Sequence, residues 1–130
     1  MASTQVTSVL LALKRILIVE DETLVAMNIE DVLTEEGCEV VGPASRLDVA
    51  IRLAREERID AAVLDVTIRG GQVFPVAEIL MDRGIPFVLA SGYGDWALPE
   101  RLKGQSRLTK PFSSEELLRS MRALFRPAAA

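Results

Sequence analysis

"AAVLDV", residues 61 to 66, sets one carboxylate into a short apolar run. The run has the length and composition of a buried strand, yet Asp is among the residues least often buried without a partner. Taken alone, Asp65 reads as a turn former or as the cap of whatever follows. A functional reading needs other residues to converge on it, so the neighbouring runs decide the matter.

Three further stretches are of the same kind: "RILIVE" (15 to 20), "EVVGPA" (39 to 44) and "PFVLAS" (86 to 91). Runs that are apolar on both faces predict a parallel sheet covered on both sides. Between them the apolar residues recur with helical spacing: Val25, Ile29, Val32 and Leu33, then Val49, Ala50, Leu53 and Ala54, then Val76, Ala77, Leu80 and Met81. A last helix is signposted by Ser113 with Glu116 as a capping box and by Leu117, Met121, Leu124 and Phe125 as its core stripe. The order predicts an α/β fold, a doubly wound parallel sheet whose fifth strand is the brief "RLT" before Lys110. In "GYGDWALPERLKGQSR" (92 to 107) Gly92, Gly94, Pro99 and Gly104 crowd one segment, so the fourth helix is expected to be short or irregular.

Composition narrows the chemistry. The 130 residues suit one domain, read as an N-terminal extension over 1-13 and a core over 14-126. With 15 basic against 19 acidic residues the net charge is −4, a poor footing for the phosphate contacts that dominate nucleic-acid affinity. There is no His and Cys38 is alone, which removes disulfide frameworks, the usual zinc sites and imidazole catalysis. Any metal would be held by oxygen. No stretch approaches the ~20 apolar residues of a membrane span, and the basic residues of "MASTQVTSVLLALKR" follow its apolar patch, the wrong order for a secretory leader, so a cytoplasmic protein is expected. The extension is expected to be partly helical through Val9, Leu10 and Leu13, or simply frayed.

In a doubly wound sheet the ligand crevice lies at the carboxyl ends of the strands. Glu20 and Asp21 follow the first strand, Asp65 ends the third, Ser91 ends the fourth and Lys110 follows the fifth, all at that edge. Three carboxylates held together raise one another's pKa values unless a cation neutralises them, and Mg²⁺ does so while also accepting phosphate oxygens. Lys110 offers a fixed positive charge, Ser91 a hydroxyl donor, and Thr67 a backbone carbonyl that could turn back to the metal. That set suits phosphoryl transfer to a carboxylate, with Asp65 as the nucleophile by position. Singly, Glu20 and Asp21 would suit a helix start and Ser91 a turn before Gly92. Tyr93 and Trp96 read equally as half-buried aromatics, Arg107 as a solvated edge residue, and Cys38 as a small packing residue.

At these residues the chain resembles the receiver domain of two-component response regulators, through "ILIVEDE" (16 to 22), "AAVLDV", "LASG" (89 to 92) and "LTKPF" (108 to 112). The resemblance covers about residues 15 to 125. It implies a flavodoxin-like (βα)5 fold, a phosphoryl group accepted by Asp65 from a sensor histidine kinase or phosphotransfer protein, Mg²⁺ held with the help of Glu20 and Asp21, and a phosphorylated state read by Ser91 and Lys110. It also implies a cis Lys110–Pro111 peptide. "DVTIRGGQVFPVAEIL" and "IPFVLASGYG" are similar to the alphaproteobacterial single-domain receivers with a Phe-Ala-Thr-Gly-Tyr-Gly run, here with Leu89 for Phe and Ser91 for Thr. Three residues before Lys110 many receivers carry an aromatic, and this chain has Arg107.

The expected function is a stand-alone receiver that is not an enzyme beyond its own phosphorylation and dephosphorylation. It would act by binding an unidentified downstream protein or by draining phosphoryl groups, with neither nucleic acid nor membrane as a partner. The rivals are a phosphorylation-independent adaptor with a receiver fold and a hydrolase with an aspartyl-phosphate site, for which Thr67 stands where a second Asp would be needed. On phosphorylation, residues from Gly92 to about Lys103 are expected to rearrange.

Overall fold

The structure is a computed structural model and describes residues 10–92 and 98–126. Its main sheet has the order β2-β1-β3-β6-β7, all parallel, formed by β1 (Arg15–Val19), β2 (Glu39–Ala44), β3 (Ala61–Asp65), β6 (Phe87–Ser91) and β7 (Ser106–Thr109). Four α-helices are among the described residues: α1 (Thr23–Glu35), α2 (Leu47–Glu56), α3 (Phe74–Asp82) and α4 (Ser114–Leu124). A separate hairpin, β4 (Thr67–Ile68) with β5 (Gly71–Gln72), follows β3 directly.

The central strands β1, β3 and β6 read as unbroken apolar runs because both of their faces are covered. Alternate side chains of a strand point to opposite faces, and in β3 Ala61 and Val63 pack towards α1 and α4 while Ala62 and Leu64 pack towards α2 and α3. Ile16 and Ile18 of β1 join the first group, with Ile29, Leu33, Leu117 and Met121. Leu17 and Val19 join the second, with Ala50, Ala54, Val76 and Leu80. The capping box at α4 is formed as expected: the Glu116 N–H donates to Ser113 Oγ at 3.1 Å and the Ser113 N–H to Glu116 Oε1 at 3.0 Å.

Two expectations need correction. The stretch before Arg15 does not lie wholly outside the core: Leu11 is completely buried among Ile29, Leu33, Leu117 and Met121, which contributes about 2 kcal/mol of apolar transfer. Leu13, expected on the apolar face, is 81 % exposed instead, because the chain turns there to enter β1, and Val9 falls outside the described residues. The fourth helix is short and irregular as expected: among the described residues it is a 3₁₀ turn at Glu100–Leu102, after Pro99. Within the expected mobile stretch, Leu98 and Leu102 are buried against the α2 and α3 side and Arg101 pairs with Glu78, so a rearrangement reaching Lys103 would have to empty two core positions. Tyr93 and Trp96 lie outside the described residues.

Candidate functional site

Strand register brings the charged residues together. Val19 of β1 lies opposite Leu64 of β3, so the next residues, Glu20 and Asp65, emerge side by side at the carboxyl edge. Asp65 is also in register with Ala90, one residue before Ser91, and Ser91 with Thr109, one residue before Lys110. The Lys110 N–H donates to the Ser91 carbonyl at 2.8 Å, which carries the β7 ladder one residue further and fixes where the Lys110 side chain starts. The Lys110–Pro111 peptide is cis, as the resemblance implied, and so is Gly42–Pro43, which the sequence did not announce.

From that base the Lys110 ammonium reaches Glu20 Oε1 at 2.6 Å, Asp65 Oδ2 at 3.2 Å and Glu22 Oε1 at 4.0 Å. Glu20, 2 % exposed, is committed twice, since its Oε2 also accepts the Glu22 N–H at 3.0 Å at the start of α1. A carboxylate so placed binds a helix-start N–H and an ammonium at once, a charge-assisted arrangement at both oxygens. Glu20, Asp21 and Asp65 each present a carboxylate oxygen within 4.8 Å of the others, so one hard cation could be shared by all three.

The charges do not balance. Burial pushes the Asp65 carboxyl up, the hydrogen bond and charge of Glu20 push it further, and Lys110 only partly opposes them, leaving a pKa of about 7. Lys110 stands nearer to Glu20 than to Asp65, so the single ammonium serves Glu20 first. Its own pKa is raised: burial pulls it down, but the Glu20 hydrogen bond and the Asp65 and Glu20 charges outweigh that. Asp65 is thus a buried acid whose charge Lys110 only partly neutralises.

The other expected residues fall around this centre. Ser91 is fully buried at the end of β6, with its Oγ 3.4 Å from the Gly92 carbonyl. Thr67 is exposed two residues beyond Asp65, in the hairpin that the Val73 N–H closes on the Val66 carbonyl at 2.8 Å. Arg107 lies on the exposed side of edge strand β7, its guanidinium donating to the Lys103 carbonyl at 3.1 Å. Cys38 is buried, as a packing residue should be. Sequence reasoning missed Glu22, although the run "EDE" carried it. Glu22, Leu24, Val25, Lys110 and Phe112 line a groove of about 340 Å³ beside the charged centre. Leu24 and Met27, 82 % and 53 % exposed, stand on α1.

The profile of the response regulator receiver domain matches residues 16–122. The chain belongs to that family. As a receiver it is 34 % identical over 109 residues to the transcriptional regulatory protein PdtaR of Mycobacterium tuberculosis, a match that takes in 81 % of this chain and 53 % of PdtaR. The chain thus spans about half the length of that curated relative. It is also similar to the chemotaxis protein CheY of Thermotoga maritima, 26 % identical over 113 residues and covering 94 % of CheY. Among solved structures, the receiver overlays SdrG from Sphingomonas melonis Fr1 with a TM-score of 0.76 at 42 % identity, covering 86 % of this chain and 96 % of SdrG. The response regulator PhyR from Brucella abortus gives 0.74 at 30 % identity, covering 95 % of this chain but 52 % of PhyR. No described helix of the receiver is long and apolar enough to cross a membrane.

Proposed function

We propose that this receiver is phosphorylated on Asp65 by a phosphohistidine of a sensor kinase or phosphotransfer protein. An Asp65 carboxylate oxygen attacks phosphorus, the P–N bond to the donor imidazole breaks, and an acyl phosphate forms while the imidazole takes up a proton. The observation that carries this reading is the Lys110 ammonium 3.2 Å from Asp65 Oδ2, placed to follow the phosphoryl oxygens once they arrive. Ser91, buried at the neighbouring strand end, supplies the hydroxyl for one of those oxygens.

Glu20, Asp21 and Asp65, with the Thr67 backbone carbonyl, are the residues to hold Mg²⁺, and their all-oxygen donor set fits that ion. Mg²⁺ would supply the positive charge that three carboxylates facing one ammonium lack. Burial and Glu20 raise the Asp65 pKa, which disfavours the reactive carboxylate, and a cation held beside it would favour that form. The exposed Leu24, which lines the groove at Lys110, offers the donor protein an apolar foothold on α1.

The signal leaves by binding to another protein, or the phosphoryl group is drained by hydrolysis, in the cytoplasm. One observation favours a second reading, a phosphorylation-independent adaptor: an exposed Arg107 on β7 occupies the place where many receivers carry an aromatic. Labelling with acetyl phosphate and Mg²⁺ separates the two. Wild type should acquire a hydroxylamine-sensitive label that Asp65→Asn loses completely; an unlabelled but folded wild type would establish the adaptor.

A further inference from the structure

The layer formed by α1 and α4 is closed, at the end of the sheet opposite the acidic site, by residues that precede β1. Leu11 fills a seat among Ile29, Leu33, Cys38, Leu117 and Met121 and is inaccessible to solvent. Among the described residues a few further contacts tie this stretch down, among them the Glu39 N–H donating to the Lys14 carbonyl at 2.9 Å. The Leu13 N–H donates to the Gly37 carbonyl at 2.8 Å, the Cys38 thiol donates to the Leu11 carbonyl at 3.3 Å, and the Lys14 ammonium stands 5.0 Å from the centre of the Phe125 ring.

Leu13 combines two oddities. Among the described residues it is the one non-glycine with a positive φ, 65°, and it is 81 % exposed. A Cβ in the left-handed region crowds the following carbonyl, and helix ends that need this conformation favour glycine. An exposed leucine recovers none of that cost by burial. The Lys14 N–H closes the turn on the Leu11 carbonyl at 3.1 Å, so the strain sits inside a formed helix end, between the buried anchor and β1.

We propose that residues 10–14 are a latch that seats Leu11 between α1 and α4, swings about Leu13, and uncovers Cys38 when it opens. Closed, it gives the thiol both its cover and its hydrogen-bond acceptor. Burial, with Glu36 adding to it, then keeps the thiol pKa up at about 11, so the closed form is inert to thiol reagents at pH 8. Opened, the latch bares Cys38 and the apolar seat while the sheet stays intact. This device is independent of phosphoryl chemistry at Asp65.

Thiol labelling of the full-length chain with a chromogenic aryl disulfide, as a function of urea, tests the latch. Opening a short segment exposes little surface, so wild-type labelling should be nearly flat at low urea and take on the full unfolding slope only near the transition. Leu11→Ala should label on the order of thirtyfold to a hundredfold faster in the flat region. Leu13→Gly, which relieves the strained turn, should label about fivefold slower. If wild type shows the full unfolding slope from zero urea, Cys38 is reached only by global unfolding and there is no latch. A flat profile that neither substitution changes would also overturn it, because the opening would then lie elsewhere.

Discussion

The two ends of β1 treat charge in opposite ways. At the amino end Arg15 has its guanidinium on Glu39 at 2.6 Å and Glu57 at 3.0 Å, its Nε on the Arg58 carbonyl at 2.7 Å, and its own N–H on Asp60 Oδ2 at 2.8 Å. The acids there keep contact with water, and nothing about the cluster asks for a further partner. At the carboxyl end one ammonium faces Glu20 and Asp65, both buried, with Asp21 alongside. In that second cluster the Asp65 carboxyl is left well above the ordinary carboxylate range. A charged network that is complete serves stability; one that is incomplete is ready for an incoming charge.

Breaking each end should expose that difference, most at the carboxyl end. Lys110→Ala removes the ammonium shared by two buried carboxylates, and loss of one partner from such a group costs about 3 kcal/mol. Chemical denaturation in metal-free buffer at pH 8 should show that loss, and added Mg²⁺ should return part of it.

Asp65→Asn should act in the other direction. Asp65 is an acid whose folded pKa, about 7, lies above the ordinary 3.8, so its favourable share of stability is intact below 3.8 and is lost as the pH rises through 7. Without metal, the Asn variant should therefore be more stable than wild type at pH 8, the gap shrinking towards pH 4. A gap that stayed constant across this range would mean that Asp65 is not the imbalanced group. Saturating Mg²⁺ should stabilise wild type and leave the Asn variant nearly unmoved.

The smallest effect belongs to the amino end. Arg15→Ala leaves Glu39 and Glu57 in water and should cost about 1 kcal/mol, with no change under Mg²⁺. A loss as large as that of Lys110→Ala would erase the distinction between the two clusters.

What could be read from the sequence follows from how local each signal is. The strands were legible because burial on both faces writes itself as continuous apolar runs, and the site because those runs end in charged residues at one edge. The Ser113 capping box was legible from two residues three apart. Leu11 was not: its partners Ile29, Leu33, Leu117 and Met121 are distant in sequence, and the turn that seats it is made by a leucine where a glycine would have announced it. The β4–β5 hairpin escaped because two-residue strands carry no periodicity. Glu22 was passed over because its nearness to Lys110 arises from two chain segments far apart in sequence.

Residues 110–113 are the whole connection between β7 and α4. One end is pinned where the Lys110 N–H meets the Ser91 carbonyl, the other where Ser113 is locked to Glu116. So short a span with both ends fixed behaves as a tie-rod with almost no slack. Under the proposed phosphorylation, a pull on Lys110 from new anionic oxygens on Asp65 would find little loop to bend and would reach the first turn of α4, whose hydrogen-bonded length runs on to Leu124, more than two turns away.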